Sequence, residues 1–376
     1  MRLFNLDLHI SVIADVKQVL VELYGARADI VNWNISPQGW IPGNAPLNVS
    51  IINARTWKKL DRKMVANFTE EHGAFLSQFD GFIVTHTPAF ALLFEKFRKP
   101  IIMVNSCRYE QPFSFHESLC VGKWVALGAS LAAMAARGQL IAISNNRADQ
   151  DYLRIGTGVE SALIPSLCLY TNIAYQAASA ANTHVVYSPC PYARIGGNVM
   201  NLVDFVGRGY KLEDLYKCRS ITHFPYDCST MSIFEQYSAC IPLFFPAKEY
   251  LKRLIGCQDY HFCPRYTTIG NLSRGPAMRL NRSRELFPDV LASALANEVW
   301  IDFWINRADY YDEAEMPHLI YFSSPEELAE KRNITDFNAV SAAMRAHNAT
   351  RKTAAHAKWR AVLDGFMMDS GDSIEI

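Results

Sequence analysis

Short apolar runs separated by helical stretches fill the first half of the chain, and this alternation restricts the possible fold more than any other feature. RLFNLDLH leads to DVKQVLVELYG; ADIVNWNI and VSIINA lead to TWKKLDRKMVANFTEEHGAFLSQF. DGFIVTH then leads to PAFALLFEKFRK, PIIMVNS to an apolar helix, and QLIAISN to NRADQDYLRI. Strands that are apolar along their whole length are those covered by helices on both faces, so the pattern predicts a doubly wound parallel α/β sheet. A second, shorter set begins near residue 183 with THVVYSP and continues through NLVDFVGRG, KLEDLYKC, SITHFP, a short helix and CIPLFFP. The chain has 376 residues, too many for one ordinary core. Two lobes facing a cleft are expected: residues 1–178, joined by a C-terminal helix over 350–376, and residues 179–349. The join is placed in LIPSLCLYTNIAYQAASAANT, and 257–285 reads as a long irregular insertion.

Composition narrows the class. Half of the residues are hydrophobic, a fifth are charged, and 37 Lys+Arg balance 37 Asp+Glu, which argues against disorder and against nucleic acid as a partner. The longest apolar run, WVALGASLAAMAA between Lys123 and Arg137, is shorter than the roughly 18 to 20 residues of a membrane span. No signal peptide is read at the N-terminus, and nine irregularly spaced cysteines suggest free thiols in a reducing, cytoplasmic setting. The sequons at Asn48, Asn67, Asn271, Asn281, Asn333 and Asn348 are then chance matches, and Cys257, His261 and Cys263 lack the paired spacings of a zinc site. SSPEELAE is a well-formed helix start with Ser324 as N-cap, and a last helix is expected over about 337–366, with a break near Asn348.

The stretch PYDCSTMSIFEQYSACIPLFF, residues 225–245, concentrates chemistry. It should follow the strand SITHFP, so its turn lies where an open α/β sheet binds ligands and runs into a helix N-terminus, a natural anion site. Ser229, Thr230 and Ser232 add hydroxyl donors. Asp227 and Glu235 would repel a phosphate unless they face other parts of the ligand, and suit hydroxyls of a ribose or a sugar. A phosphate flanked by hydroxyl-bearing rings describes a nucleotide-sugar. Ser232 and Glu235 also stand in the S-x-x-E relation of a capping box, and the two readings are compatible.

DLYKCRSITHFPYDCSTMSIFEQYSACIPLFF resembles the donor-binding segment of GT-B fold glycosyltransferases over about 40 residues. Asp227, seven intervening residues and Glu235 match the acid pair of those enzymes, with Asp in place of the commoner Glu, and Cys240 stands where they usually have glycine. The resemblance implies two Rossmann-like domains facing a central cleft, a nucleoside-diphosphate sugar as donor and a glycan or other hydroxyl acceptor. It implies that Glu235 binds ribose and Asp227 the sugar, with Ser229, Thr230, Met231 and Ser232 on the diphosphate and His223 and Tyr226 beside them. The Gly207 turn with Tyr210 resembles a base-holding loop, and Arg194 would offset diphosphate charge.

Inverting transfer needs a base for the acceptor hydroxyl. NLDLHISVIAD supplies His9 as first choice, with Asp7 or Asp15 as orienter or alternative base; a carboxylate near the ring would raise the pKa of His9. Asp15 is equally an N-cap for DVKQVLVELYG. His86, Arg108 and Glu110, at other strand ends, are expected to shape the acceptor side, and no obligatory metal is expected. A dinucleotide oxidoreductase is disfavoured because the first turn, HISVIAD, has no glycine, and IGTGVES supplies only two of the three required. Gly122-Lys123 lacks the rest of a P-loop. An epimerase or hydrolase of the same fold, or a non-catalytic carbohydrate-binding protein, remains the alternative.

Overall fold

The computed structural model describes residues 1–36, 46–113, 121–187, 198–255 and 302–368. Its first sheet holds β1 (Arg2–Asp7), β2 (Asp29–Asn34), β3 (Gly81–Thr85), β4 (Ile101–Asn105), β5 (Leu140–Ser144) and β6 (Ala162–Leu163), in the order β2-β1-β3-β4-β5-β6. Every pairing is parallel. The crossovers carry α1 (Ile10–Tyr24), α2 (Arg62–Leu76), the short α3 (Ala91–Phe94), α4 (Val121–Ala136) and α5 (Arg147–Thr157). Strands β3 and β4 are buried at every residue, as apolar runs covered on both faces require.

The second sheet is also wholly parallel, in the order β11-β10-β9-β7-β8. Its strands are β7 (His184–Val186), β8 (Val199–Asn201), β9 (Ser220–Thr222), β10 (Leu243–Pro246) and β11 (Ile320–Phe322). Around it lie α6 (Leu202–Val206), α7 (Leu212–Leu215), α8 (Met231–Ser238), α9 (Lys248–Ile255) and α10 (Pro325–Ile334). The expected start of α10 forms: Ser324 Oγ accepts from Glu327 N at 3.1 Å, while Glu327 Oε2 reaches back to Ser323 N at 2.6 Å. The chain is thus the expected α/β protein of two doubly wound parallel sheets. Among the described residues no helix is long and apolar enough to cross a membrane, and the cysteines are free thiols.

Three local expectations fail for identifiable reasons. VSIINA forms turns instead of a strand, because Asn53 bonds its own surroundings: its Nδ2 donates to Val49 O at 3.1 Å and its Oδ1 accepts from Arg55 N at 3.0 Å. Asp15 does not cap α1, which starts at Ile10 directly after His9 and carries Asp15 in its second turn. The terminal helix α11 (Phe337–Met368) is unbroken at Asn348. That side chain instead donates to Tyr237 O at 2.9 Å and to Cys240 Sγ at 3.3 Å, capping the carboxyl end of α8.

Helix α11 crosses from the second sheet to the first. Phe337, near its start, packs with Phe244 and Val186, whereas Ala355, Trp359 and Leu363 join the core formed by α1. Midway, Arg351 Nη2 donates to Ser166 O at 2.6 Å and its guanidinium lies over the rings of Phe234 and Tyr237 in α8. Asp15 faces the same segment and accepts from Cys168 N at 2.6 Å. Helix α1, the 166–168 segment, α8 and α11 therefore meet in one buried joint.

Cys240 sits at φ +64°, in the left-handed region. Its N–H bonds Tyr237 O at 2.9 Å and Ile241 N bonds Gln236 O at 3.3 Å, the two bonds of a Schellman helix end. This is a backbone that favours glycine, and the cysteine adopts it with its side chain buried against Asn348. Relief of backbone strain and loss of buried side chain should nearly cancel in Cys240→Gly, which is expected to change unfolding free energy by less than about 1 kcal/mol. Cys240→Val, β-branched and so poorly suited to this region, is expected to cost about 2 kcal/mol or more in urea denaturation.

Candidate functional site

Each sheet reverses its strand order once, between β1 and β3 in the first and between β7 and β9 in the second. Loops leaving the strands diverge at such a point and open a crevice at the carboxyl ends. His9 follows β1 and His86 closely follows β3, and their rings stack with centroids 4.8 Å apart. Tyr187 follows β7 and His223 follows β9, with ring centroids 5.0 Å apart. The two crevices open onto one another.

The cleft between them encloses about 150 Å³. His9, His86, Ser106, Cys107, Arg108 and Gln111 form its first-lobe wall; Tyr226, Asp227, Ser229, Thr230 and Met231 form the other. A smaller cavity adjoins it, bounded by Tyr187, His223, Ser232 and Ile233 and sharing Tyr226, Asp227 and Thr230. The turn singled out in the sequence therefore faces the first lobe across a cleft. Met231 Sδ meets Asn145 Nδ2 of that lobe at 3.5 Å.

Helix α8 starts at Met231 with Thr230 as N-cap, and no side chain caps it. The expected Ser232–Glu235 capping box does not form, because the helix begins two residues too early for it. Ser232 lies in the first turn with its Oγ 3.0 Å from Thr230 Oγ1. The first-turn amides and the hydroxyls of Ser229, Thr230 and Ser232 are thus gathered where an anion is favoured.

The two acids of the turn differ. Asp227 lines both cavities, and its Oδ1 accepts from Cys228 N at 2.8 Å. Glu235 lines neither; its carboxylate takes the hydroxyls of Tyr170 and Ser11, and burial raises its pKa. His223 is buried, with Nε2 2.5 Å from Gln236 Oε1 and its ring stacked on Phe245, and burial lowers its pKa to about 4. Tyr210 follows the positive-φ Gly207 and Gly209 and hydrogen-bonds Tyr187. Arg194 lies outside the described residues, as do Cys257, His261 and Cys263.

On the first lobe, burial lowers the pKa of His9 to about 4, the opposite of the expected rise, so the ring is neutral at pH 7. The carboxylate meant to orient the ring does not touch it: Asp7 Oδ1 accepts the His9 backbone N–H at 2.8 Å and the Thr85 hydroxyl at 3.3 Å. Asp7 is fully buried, which raises its pKa to about 7. Asp15 is remote from the cleft, in the joint with Cys168 and Arg351, where burial raises its pKa to about 6 against their stabilising pull. Burial opposes the charge of Arg108, but Glu110 and then Cys107, Tyr152 and Asp227 offset this and its pKa is raised. Arg108 thereby reaches electrostatically across the cleft to the acid of the turn.

One buried acid beside the cleft has no local signal in the sequence. Asp309 has Oδ1 3.5 Å from the Arg147 N–H and Oδ2 without a hydrogen-bond partner among the described residues, and burial pushes its pKa to about 8. It belongs to a segment that braces the turn, in which Tyr310 Oη donates to Asp227 O at 3.0 Å and Cys228 Sγ donates to Trp304 O at 3.4 Å. The glycines of IGTGVES have structural reasons: a Cβ at Gly156 would lie 2.6 Å from the Tyr109 ring, and Gly158, at φ +73°, ends α5.

No family model and no curated protein matches the chain. Among solved structures it is similar to the glycotransferase of kitacinnamycin, with a TM-score of 0.41 and 10% identity over 97% of this chain and 98% of that one. It is also similar to the spinosyn forosaminyltransferase SpnP, with a TM-score of 0.37 and 12% identity over 91% and 99%. A third is the glycosyltransferase SnogD from Streptomyces nogalater, with a TM-score of 0.33 and 12% identity over 88% and 98%. With TM-scores below 0.5, what the chain does must be argued from its own cleft.

Proposed function

We propose that this chain is a GT-B type glycosyltransferase that moves a hexosyl or deoxyhexosyl group from a nucleoside-diphosphate sugar to a glycan or other hydroxyl acceptor, with inversion. The observation that carries the reading is the meeting of two sheet switch points in one cleft. An uncapped helix start with hydroxyls lies on one wall and a neutral, stacked histidine on the other. In this reading residues 179–349 hold the donor, while residues 1–178 with 350–376 form the acceptor side.

The diphosphate lies on the first turn of α8 and on Ser229, Thr230 and Ser232, with Arg194 as a further contact and no obligatory metal. Asp227, which faces both cavities, accepts from sugar hydroxyls, and Tyr226, between them, packs on the donor. Tyr210 and the Gly207 turn lie towards the base. Glu235 binds ribose by exchanging the Tyr170 hydroxyl for a ribose hydroxyl, a like-for-like trade for a carboxylate. His9 accepts the proton of the acceptor hydroxyl, whose oxygen bonds the anomeric carbon as the bond to the diphosphate breaks. The charge released goes to the helix terminus and the hydroxyl donors. His86 stacks on His9 and limits its rotation, while Asp7 fixes its backbone. Arg108 and Glu110 shape the acceptor wall.

Purified protein mixed with a panel of nucleotide-sugars is expected to release nucleoside diphosphate only when a hydroxyl acceptor is present. Release without acceptor would instead indicate a hydrolase, and conversion of the sugar an epimerase. His9→Ala should lower kcat by about 10²- to 10⁴-fold with little change in diphosphate affinity. Because the base must be unprotonated, wild-type kcat/KM is expected to fall as pH drops through about 4, not 6.5, and that limb should vanish in the variant. Glu235→Ala should weaken nucleoside diphosphate binding about 10- to 100-fold, measured by calorimetry, with the far-ultraviolet circular dichroism unchanged.

A further inference from the structure

Two neutral polar side chains on the first-lobe wall of the cleft have no hydrogen-bond partner among the described residues. Gln111 is only 4% exposed; its Oε1 is buried without a hydrogen bond, and its Nε2 makes none among the described residues. Ser106 Oγ, on the same wall, is also buried and unbonded. Their neighbours are accounted for. Cys107 Sγ donates to His86 O at 3.1 Å, His86 Nδ1 lies 3.3 Å from Thr87 Oγ1, and the charge of Arg108 has Glu110 close by. His9 Nδ1, unbonded as well, belongs to the base already assigned.

The loop that carries Gln111 is packed in place. Tyr109 is buried against Tyr152, with ring centroids 5.5 Å apart, and Arg108 and Glu110 are buried on either side of it. Gln111 N donates to Arg108 O at 3.3 Å, and Phe113 N to Glu110 O at 2.8 Å. Such a loop keeps the amide in the wall, where a buried polar group without a partner costs stability until a ligand supplies one.

We propose that the Gln111 amide, aided by Ser106 Oγ, is a specificity-determining contact for the acceptor, and that the acceptor is a sugar presenting two adjacent hydroxyls to it. A primary amide accepts at Oε1 and donates from Nε2. Two neighbouring hydroxyls, one donating and one accepting, satisfy both ends at once, and the Ser106 hydroxyl takes either role towards a third oxygen. A flat apolar aglycone would seal both groups away from water unpaired, the costliest outcome for a buried polar atom. A carboxylate or phosphate group offers Oε1 no donor. The inference rests on the reading of the cleft as a glycosyl-transfer site, and it narrows the acceptor from any hydroxyl compound to a vicinal diol.

The test measures binding and turnover separately on the full chain. Methyl glycosides of glucose, galactose, mannose and rhamnose, with the monodeoxy analogues of whichever binds tightest, are titrated by ligand-observed NMR. Wild type should bind at least one glycoside and bind one of its deoxy analogues about tenfold more weakly. Gln111→Met should lose about tenfold for the parent glycoside and no longer discriminate against that analogue, and Ser106→Ala should lose about threefold. The ligand-free Gln111→Met variant should melt no lower than wild type, because an apolar chain of similar length replaces an unpaired buried amide. Unchanged glycoside affinity in Gln111→Met overturns the proposal, as does a wild type that binds no glycoside. A variant that both melts lower and binds more weakly would make the glutamine structural and overturn it too. Nucleoside diphosphate release is followed in parallel with glycosides and with phenols as acceptors. Release with phenols alone overturns this inference and leaves glycosyl transfer standing. Glycoside binding through Gln111 with no release on any acceptor supports the sugar contact while the transfer reading fails.

Discussion

A carboxylate buried in the first helix anchors the joint at which the two lobes meet. Asp15 is carried into the apolar face of α1, and the nearest donors that can satisfy it belong to the 166–168 segment: the Cys168 amide, the Ser166 hydroxyl and the Leu167 amide. That segment is held from its other side by Arg351 of α11, whose guanidinium also rests on two aromatic rings of α8. An acid left without these donors would cost several kcal/mol of uncompensated burial. The joint therefore specifies one arrangement of α1, α8 and α11, and the orientation of the cleft walls follows from it.

Helix α8 is treated differently at its two ends. At the carboxyl end every device is present: a Schellman turn on Cys240, the Asn348 amide on the last carbonyls, and close packing against α11. At the amino end the usual cap is missing although Thr230 occupies the capping position, and the acid that could have completed a box is turned away to Tyr170 and Ser11. A helix anchored this firmly at one end can keep its other end unsatisfied for a ligand, which is the local inconsistency expected at a functional site.

How much of this was legible depended on whether a residue's role is set by its neighbours in sequence. His9, His86 and the 226–231 turn could be found because strand ends are readable from apolar runs, and ligands gather at strand ends. The glycine-like position of Cys240 was visible as a departure from the resembling enzymes, and the left-handed backbone explains it. Asp15 and Asn348 misled because their local signals, a helix cap and a helix break, are real preferences overruled by partners more than a hundred residues away. Asp309 was invisible for a related reason: an aspartate before two tyrosines carries no motif, and only the fold sets it behind Ser229. The pairing of Glu235 with Tyr170, between the lobes, could not be read from either segment alone.

The number of acids around the cleft poses an electrostatic problem for anion binding that burial resolves. Asp7, Glu110, Asp149, Asp227, Glu235 and Asp309 all lie in or close behind its walls, and six ionised carboxylates would expel a diphosphate. Burial works against ionisation at Asp7, Glu235 and Asp309, and it keeps His9 and His223 uncharged as well. Arg108 resists the same effect because Glu110 and Asp227 stand near it, so a cation persists on the first-lobe wall while part of the surrounding acidity is suppressed. The helix start of α8 and Arg108 then face the cleft from opposite walls. A dianion entering between them would meet attraction from both sides.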